Sequence, residues 1–193
     1  DCDGLVDADD ADDLALNDRK DCERQSGVCA KALKPVALCV DGAWAPCGAD
    51  AYQAYSPSYE AGVEASCDGK DNDCDGSADE DFELLLKTGD VVWGVQQSCG
   101  AGVCAGGVTQ CNDAGDGVLC PTELDAAPER CDGKDNDCDG LTDAQDEADL
   151  LASDAQSCVK QAGVCAGSVK LASLCEGGTL GSCTGAVYLA QAA

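Results

Sequence analysis

Ten residues, Cys-Asp-Gly-Lys-Asp-Asn-Asp-Cys-Asp-Gly, stand at 67–76 and recur unchanged at 131–140, and the closing Asp-Cys-Asp-Gly of the same string forms Asp1, Cys2, Asp3 and Gly4. A string repeated to the letter marks a tandem-repeat chain, in which each unit is one small supersecondary element. Behind each copy follow four more cysteines: 22, 29, 39 and 47, then 99, 104, 111 and 120, then 158, 165, 175 and 183. The units are therefore residues 1–66, 67–130 and 131–193, with six cysteines in each full unit. The total of 17 is odd because the first unit lacks its opening cysteine. The chain is thus expected to continue beyond Asp1 and Ala193, or a neighbouring subunit completes the half-motif at Cys2 through a calcium-dependent, disulfide-linked joint.

The cysteines have to do what a core cannot. The 193 residues include one Phe, two Trp, four Tyr and neither Met nor Ile. Small apolar side chains bury too little area, at about 25 cal/mol per Å², to offset ordering costs of about 1–2 kcal/mol per residue. Cysteine at this density belongs to disulfide scaffolds of oxidising compartments, so the chain is expected to be extracellular or at the cell surface. A net charge of −27 excludes nucleic acid as a partner, since phosphate binding needs clustered Lys and Arg. No apolar run is long enough to insert in a membrane.

The expected fold is a set of small disulfide-rich repeats: irregular calcium loops plus short β-meanders, little helix, stacked as an elongated tandem array. Helical turns are expected at 146–151 and 83–87, and extended chain at 91–93. A meander is expected from strands at 103–104, 108–111 and 118–120, with turns between them. Proline-bearing segments 48–66 and 121–130 read as linkers. A Gly-containing six-residue gap predicts bonds Cys67–Cys74 and Cys131–Cys138, with each remaining quartet pairing within itself in one of three ways.

The repeated string carries an oxygen-ligand pattern. Counting from Asp71, acidic residues fall at positions 1, 3, 5 and 9 (Asp71, Asp73, Asp75, Asp79), with Gly76 at position 6 and Ser77 at position 7. This is most of an EF-hand-type loop. Ca²⁺ takes six to eight hard oxygens, alternate residues of a curling loop point inward, and glycine permits the turn. The third unit offers Asp135, Asp137, Asp139, Leu141 through its carbonyl, and Asp143; the first keeps Asp3, Leu5 and Asp7 beside Asp1. At position 12 stand Asp10 and Asp146, but Phe82 in the second unit. Zinc is disfavoured, since His is absent and the cysteine spacings, C-x₆-C and C-x₄-C, form no pair of zinc-finger half-sites. With no His base or nucleophile set, the chain is not expected to be an enzyme.

On these residues the chain resembles the metal-binding repeat named after the surface protein MopE, found in tandem in secreted and cell-surface bacterial proteins. The matching pieces are 67–80, 131–143, the partial 2–7, and the trailing pattern seen at 39–47. The aspartate spacing is also similar to thrombospondin type 3 and dockerin calcium loops. The family name implies copper. Copper prefers imidazole, thiolate or thioether donors, whereas this chain has neither His nor Met and its cysteines are expected in disulfides, so calcium is the expected ion. The expected function is structural, a segment or subunit of a surface fibre that associates with itself or with neighbouring repeats. The alternative is a metal-capturing or ligand-binding surface module.

Overall fold

The computed structural model describes residues 19–191. Among them the fold is small, disulfide-rich and irregular, with three seven-residue helices and five two-stranded sheets. The described residues divide into two compact units, one holding residues 19–83, 93–95 and 111–118, the other 84–92, 96–110 and 119–191.

In the first unit, strands β1 (Cys39–Val40) and β2 (Ala43–Trp44) form a hairpin. Its two turn residues, Asp41 and Gly42, both have positive φ, the tight turn that matches strand twist. Helix α1 (Ala49–Tyr55) then buries Tyr52 against Tyr59, the rings 5.3 Å apart. Around them lie Cys22, Cys29, Ala32 and Cys74. Half of this cluster of six is sulfur, which is how a chain poor in large apolar groups makes a core. The Tyr52 hydroxyl accepts the Arg24 backbone N–H at 2.9 Å. The Gln25 side-chain amide donates to the carbonyls of Cys22 and Ala32.

Strand β3 (Glu83–Leu85) pairs with β4 (Val91–Trp93). The helical turn expected at 83–87 is therefore a strand, because Gly89 at φ 85° closes a turn that folds the β-branched Val91 and Val92 back along it. The extended reading of 91–93 holds.

Strand β5 (Ser98–Cys99) pairs with β6 (Gly107–Val108) in the second unit; β7 (Gln110–Cys111) and β8 (Val118–Leu119) make a separate hairpin whose residues 111–118 belong to the first. The expected continuous meander is thus two ladders, broken at the fully buried Thr109, and 103–104 lies in the 3₁₀ turn Gly102–Cys104. Helix α2 (Glu147–Ser153) realises the turn expected at 146–151 and buries Leu150 against Ala172 and Cys175. Strands β9 (Cys175–Glu176) and β10 (Thr179–Leu180) turn through Gly177 and Gly178, both at positive φ, as β1 and β2 do through Asp41 and Gly42. Helix α3 (Gly185–Gln191) buries Val187 and Tyr188 against Cys158. The Tyr188 hydroxyl accepts the Lys160 N–H at 3.0 Å, and Gln161 bridges the carbonyls of Cys158 and Ser168. The first and third repeats are thus built to one plan.

Seven disulfides are present among the described residues, and neither Cys67–Cys74 nor Cys131–Cys138 is one of them. The opening cysteines bond 44 residues ahead, Cys67 to Cys111 and Cys131 to Cys175. The motif's second cysteine bonds back into the preceding repeat, Cys74 to Cys29 and Cys138 to Cys104. Only Cys22–Cys47, Cys99–Cys120 and Cys158–Cys183 close within a quartet. The reason is the alternation that gathers the aspartates. Residues 71, 73 and 75 face into the loop, so Cys74, held at φ 63°, projects out of it toward another segment.

The segments read as linkers are structural. Residues 48–66 contain α1, and 121–130 contain a 3₁₀ helix at Pro121–Asp125. Each also holds a buried glutamate near its end, Glu64 or Glu129.

Candidate metal centre

Each ten-residue string folds into a loop closed by its own carboxylates. In the second repeat, Asp71 accepts the N–H groups of Asp75 and Gly76 at 3.1 and 3.0 Å, Asp73 accepts from Asp75 at 2.9 Å, and Asp75 accepts from Ser77 at 2.9 Å. These short local bonds set the curl that faces three side chains inward. One oxygen each from Asp71, Asp73 and Asp75 lies within 4.8 Å of the others. In the third repeat, Asp135 accepts from Cys138 and Gly140 at 2.7 and 3.0 Å, and Asp139 accepts from Leu141 at 2.7 Å. Here the gathered set is Asp137, Asp139, Asp146 and Asp149, again within 4.8 Å.

Positions 1, 3 and 5 of the second loop thus converge as the spacing implies, and position 12 joins in the third loop through Asp146. Position 9 is placed elsewhere. Asp79 accepts the N–H groups of Asp68 and Gly69, both at 2.9 Å, and Asp143 accepts those of Asp132 and Gly133 at 3.0 and 3.1 Å. These two aspartates cap the Cys-Asp-Gly turn and lie beside the disulfides Cys67–Cys111 and Cys131–Cys175. Ser77 and Leu141 are exposed at the loop exits. Asp1, Asp3, Leu5, Asp7 and Asp10 lie outside the described residues.

The structure adds carboxylates that the spacing did not indicate. Glu80 and Asp81 each bring an oxygen within 4.8 Å of Asp73, so two carboxylates stand beside the second loop, whose position 12 is Phe82. Glu64 is buried and accepts the Asn72 N–H. Glu129 is fully buried and accepts the N–H groups of Asn136 and Asp143, both at 2.8 Å. An acidic residue shortly before the motif was the available sign, but the gap to the opening cysteine differs by one residue between copies, Glu64 to Cys67 against Glu129 to Cys131.

The electrostatics of these clusters are adverse without a cation. Burial pushes the Glu80 carboxyl up to about 7, with the charges of Glu64, Asp75 and Asp81 adding to it. Burial likewise raises Asp73, with Asp75 and Asp71 beside it, and Glu64, with Asp79 beside it. In the third repeat burial raises Asp137, Asp146 and Glu129, reinforced by their acidic neighbours. One oxygen each of Glu64, Glu80 and Asp146 is buried with no hydrogen-bond partner. A buried carboxylate oxygen left bare is costly unless a cation or proton meets it.

A family model for the Cu-binding MopE type, described as a putative metal-binding motif, matches residues 55–80 and 124–144. Both copies of the ten-residue string, 67–76 and 131–140, lie inside the matched stretches. No curated protein and no solved structure matches the chain. Each MopE-type segment spans the loop together with its buried glutamate and, in the second repeat, Glu80.

The donor set can be tested against the copper in the family name. The gathered side chains are carboxylates, and the cysteines of both motifs, Cys67, Cys74, Cys131 and Cys138, are spent in disulfides. With no His or Met in the sequence, none of copper's preferred donors is at hand. The residues fit a hard cation. Among the described residues, no helix is long and apolar enough to cross a membrane.

Proposed function

We propose that this chain is an extracellular calcium-binding structural repeat protein, a segment or subunit of a surface fibre, with no catalytic role. The observation that carries the reading is the pair of carboxylate clusters whose buried oxygens on Glu80 and Asp146 have no hydrogen-bond partner, with a further bare oxygen on Glu64, whose charge acts on Glu80. Four clustered carboxylates suit Ca²⁺, which tolerates irregular all-oxygen cages, better than Mg²⁺, which keeps several waters. The disulfide density supports an oxidising compartment outside the cytoplasm. Bonds that run from one repeat into the next, Cys29–Cys74 and Cys104–Cys138, suit a load-carrying array better than a set of independent metal traps.

Thermal unfolding in excess chelator, in Ca²⁺ and in Cu²⁺ tests the proposal with the disulfides intact. A cation bound only by the folded state stabilises it by about 2.7 kcal/mol per site at one hundred times its dissociation constant. Ca²⁺ should raise the melting temperature and chelator should lower it. An unchanged melting curve in chelator refutes the calcium reading, and stabilisation by Cu²⁺ alone favours the metal-capturing alternative. Electron microscopy of native material tests the array: regular filaments support it, and isolated particles overturn it.

A further inference from the structure

A short socket occurs three times in the molecule, and two copies are filled by the same kind of loop. In the first copy, Gly27–Cys29 is a 3₁₀ turn with Gly27 at φ 48°. The Val28 N–H donates to the Asp71 carbonyl at 3.0 Å, and Cys29 is bonded to Cys74. A methyl group at Gly27 would collide with that carbonyl, so the glycine is what lets the acidic loop seat. In the second copy, Gly102–Cys104 repeats every element: Gly102 at φ 52°, Val103 N–H to the Asp135 carbonyl at 3.0 Å, Cys104 bonded to Cys138, and no room for a side chain at Gly102 against Asp135.

The third copy has the same backbone and no occupant among the described residues. Gly163–Cys165 is again a 3₁₀ turn, with Gly163 at φ 60°, and the Cys165 N–H donates to Ala162 as Cys104 does to Ala101. Nothing lies within 4 Å of a side chain built at Gly163. Val164 is 80% exposed, against 50% for Val103 in the filled socket. Cys165 is in no disulfide. At Gly163 the left-handed turn is kept although, among the described residues, nothing occupies the space in front of it. Its two siblings show what the conformation is for.

We propose that Gly163, Val164 and Cys165 form a docking socket for an Asp-x-Asp-Cys-Asp-Gly loop of a further repeat unit, locked by a disulfide between Cys165 and the cysteine of that loop. The occupant is fixed by the chemistry of the filled copies. It presents a carbonyl to the Val164 N–H, places backbone against Gly163 where no side chain fits, and brings a cysteine three residues later to Cys165. The inference goes beyond the calcium reading, since the Val N–H, glycine and cysteine contacts involve no cation. Locking proceeds by thiol–disulfide exchange: the Cys165 thiolate attacks a disulfide at the loop's cysteine, the new S–S bond forms, and the former partner leaves as a thiolate, with no net oxidation.

The test uses the whole chain and a peptide of residues 129–143 carrying Cys131→Ser, its remaining cysteine activated as a mixed disulfide with a coloured aromatic thiol. Release of that thiol gives the rate, and peptide mass mapping gives the site. A scrambled peptide of the same composition is the reference. The motif peptide should react at Cys165 at least about tenfold faster, with or without chelator, because docking raises the effective concentration of the second sulfur. Gly163→Ala should bring the motif rate down to the scrambled rate while reaction with a small aromatic disulfide stays unchanged, which also shows that the variant is folded. Equal rates for the two peptides on the unsubstituted chain, or no effect of Gly163→Ala, overturn the proposal. Native material in which Cys165 is already bonded to such a loop supports it, and a bond to any other cysteine overturns it. Failure of calcium binding with the rate difference intact would defeat the proposed function alone.

Discussion

Deleting the Cys104–Cys138 bond as the double variant Cys104→Ala/Cys138→Ala separates the observed pairing from a local one. The bond joins residues 34 apart, and closing a loop of that length in the unfolded chain is worth about 4 kcal/mol. The hydrogen bond from Val103 to the Asp135 carbonyl beside it adds about 1 kcal/mol if it is lost as well. A bond from Cys138 to Cys131, seven positions away in the sequence, would be worth only about 2 kcal/mol. Urea unfolding in saturating Ca²⁺, followed by far-ultraviolet circular dichroism, should therefore show a loss of about 4–5 kcal/mol. Cys99→Ala/Cys120→Ala, which opens a 21-residue separation, is the control and should cost about 3 kcal/mol. A loss below about 1 kcal/mol for the first pair, or a peptide map joining Cys131 to Cys138, would refute the cross-repeat pairing.

Three further outcomes are expected. Gly102→Ala and Gly163→Ala both place alanine at positive φ, a cost of about 1–2 kcal/mol, but only the first also displaces Asp135, so urea unfolding should show it to be the more destabilising; equal losses count against the socket. In chelator, stability should fall as pH rises from 4.5 through about 7, because the folded chain retains a proton on Glu80 that the unfolded chain has released, and saturating Ca²⁺ should abolish that fall; a cation-free melting temperature that is flat or rising across this window contradicts it. At the acid end, the Lys34 ammonium and the Cys47 N–H hold Glu23 down to about 2, so its contribution is complete above 4.5 and is lost as pH falls toward 2, and Glu23→Gln should flatten that limb of the melting profile.

What could be read in the sequence was whatever depends on near neighbours. Asp71, Asp73 and Asp75 converge because alternate residues of a tight loop face one way, and that is a property of spacing alone. The Asp41-Gly42 and Gly177-Gly178 turns are of the same local kind. The roles of Glu64, Glu80, Glu129 and Asp149 depend on how separate segments fold together, and no fixed interval announces them. The disulfides failed as a local inference because the loop has one interior, and the carboxylates occupy it. A trace of the true pairing was present in the thrice-repeated Gly-Val-Cys, but its partners lie 45 residues on in one case and 34 in the other, so no period points to them. Asp79 and Asp143 show the converse, since a ligand spacing can be satisfied by backbone N–H groups instead of a cation.

The seven disulfide spans overlap along the chain so that every peptide bond between Cys22 and Cys183 falls inside at least one of them. A protease that cuts this stretch once, wherever it cuts, releases nothing: both fragments stay tethered by sulfur. Pulling on the two ends meets the same redundancy, because the backbone between 47 and 67 runs parallel to Cys29–Cys74, and that between 120 and 131 runs parallel to Cys104–Cys138. This stretch comes apart only when it is cut and reduced together, and an oxidising compartment seldom delivers both.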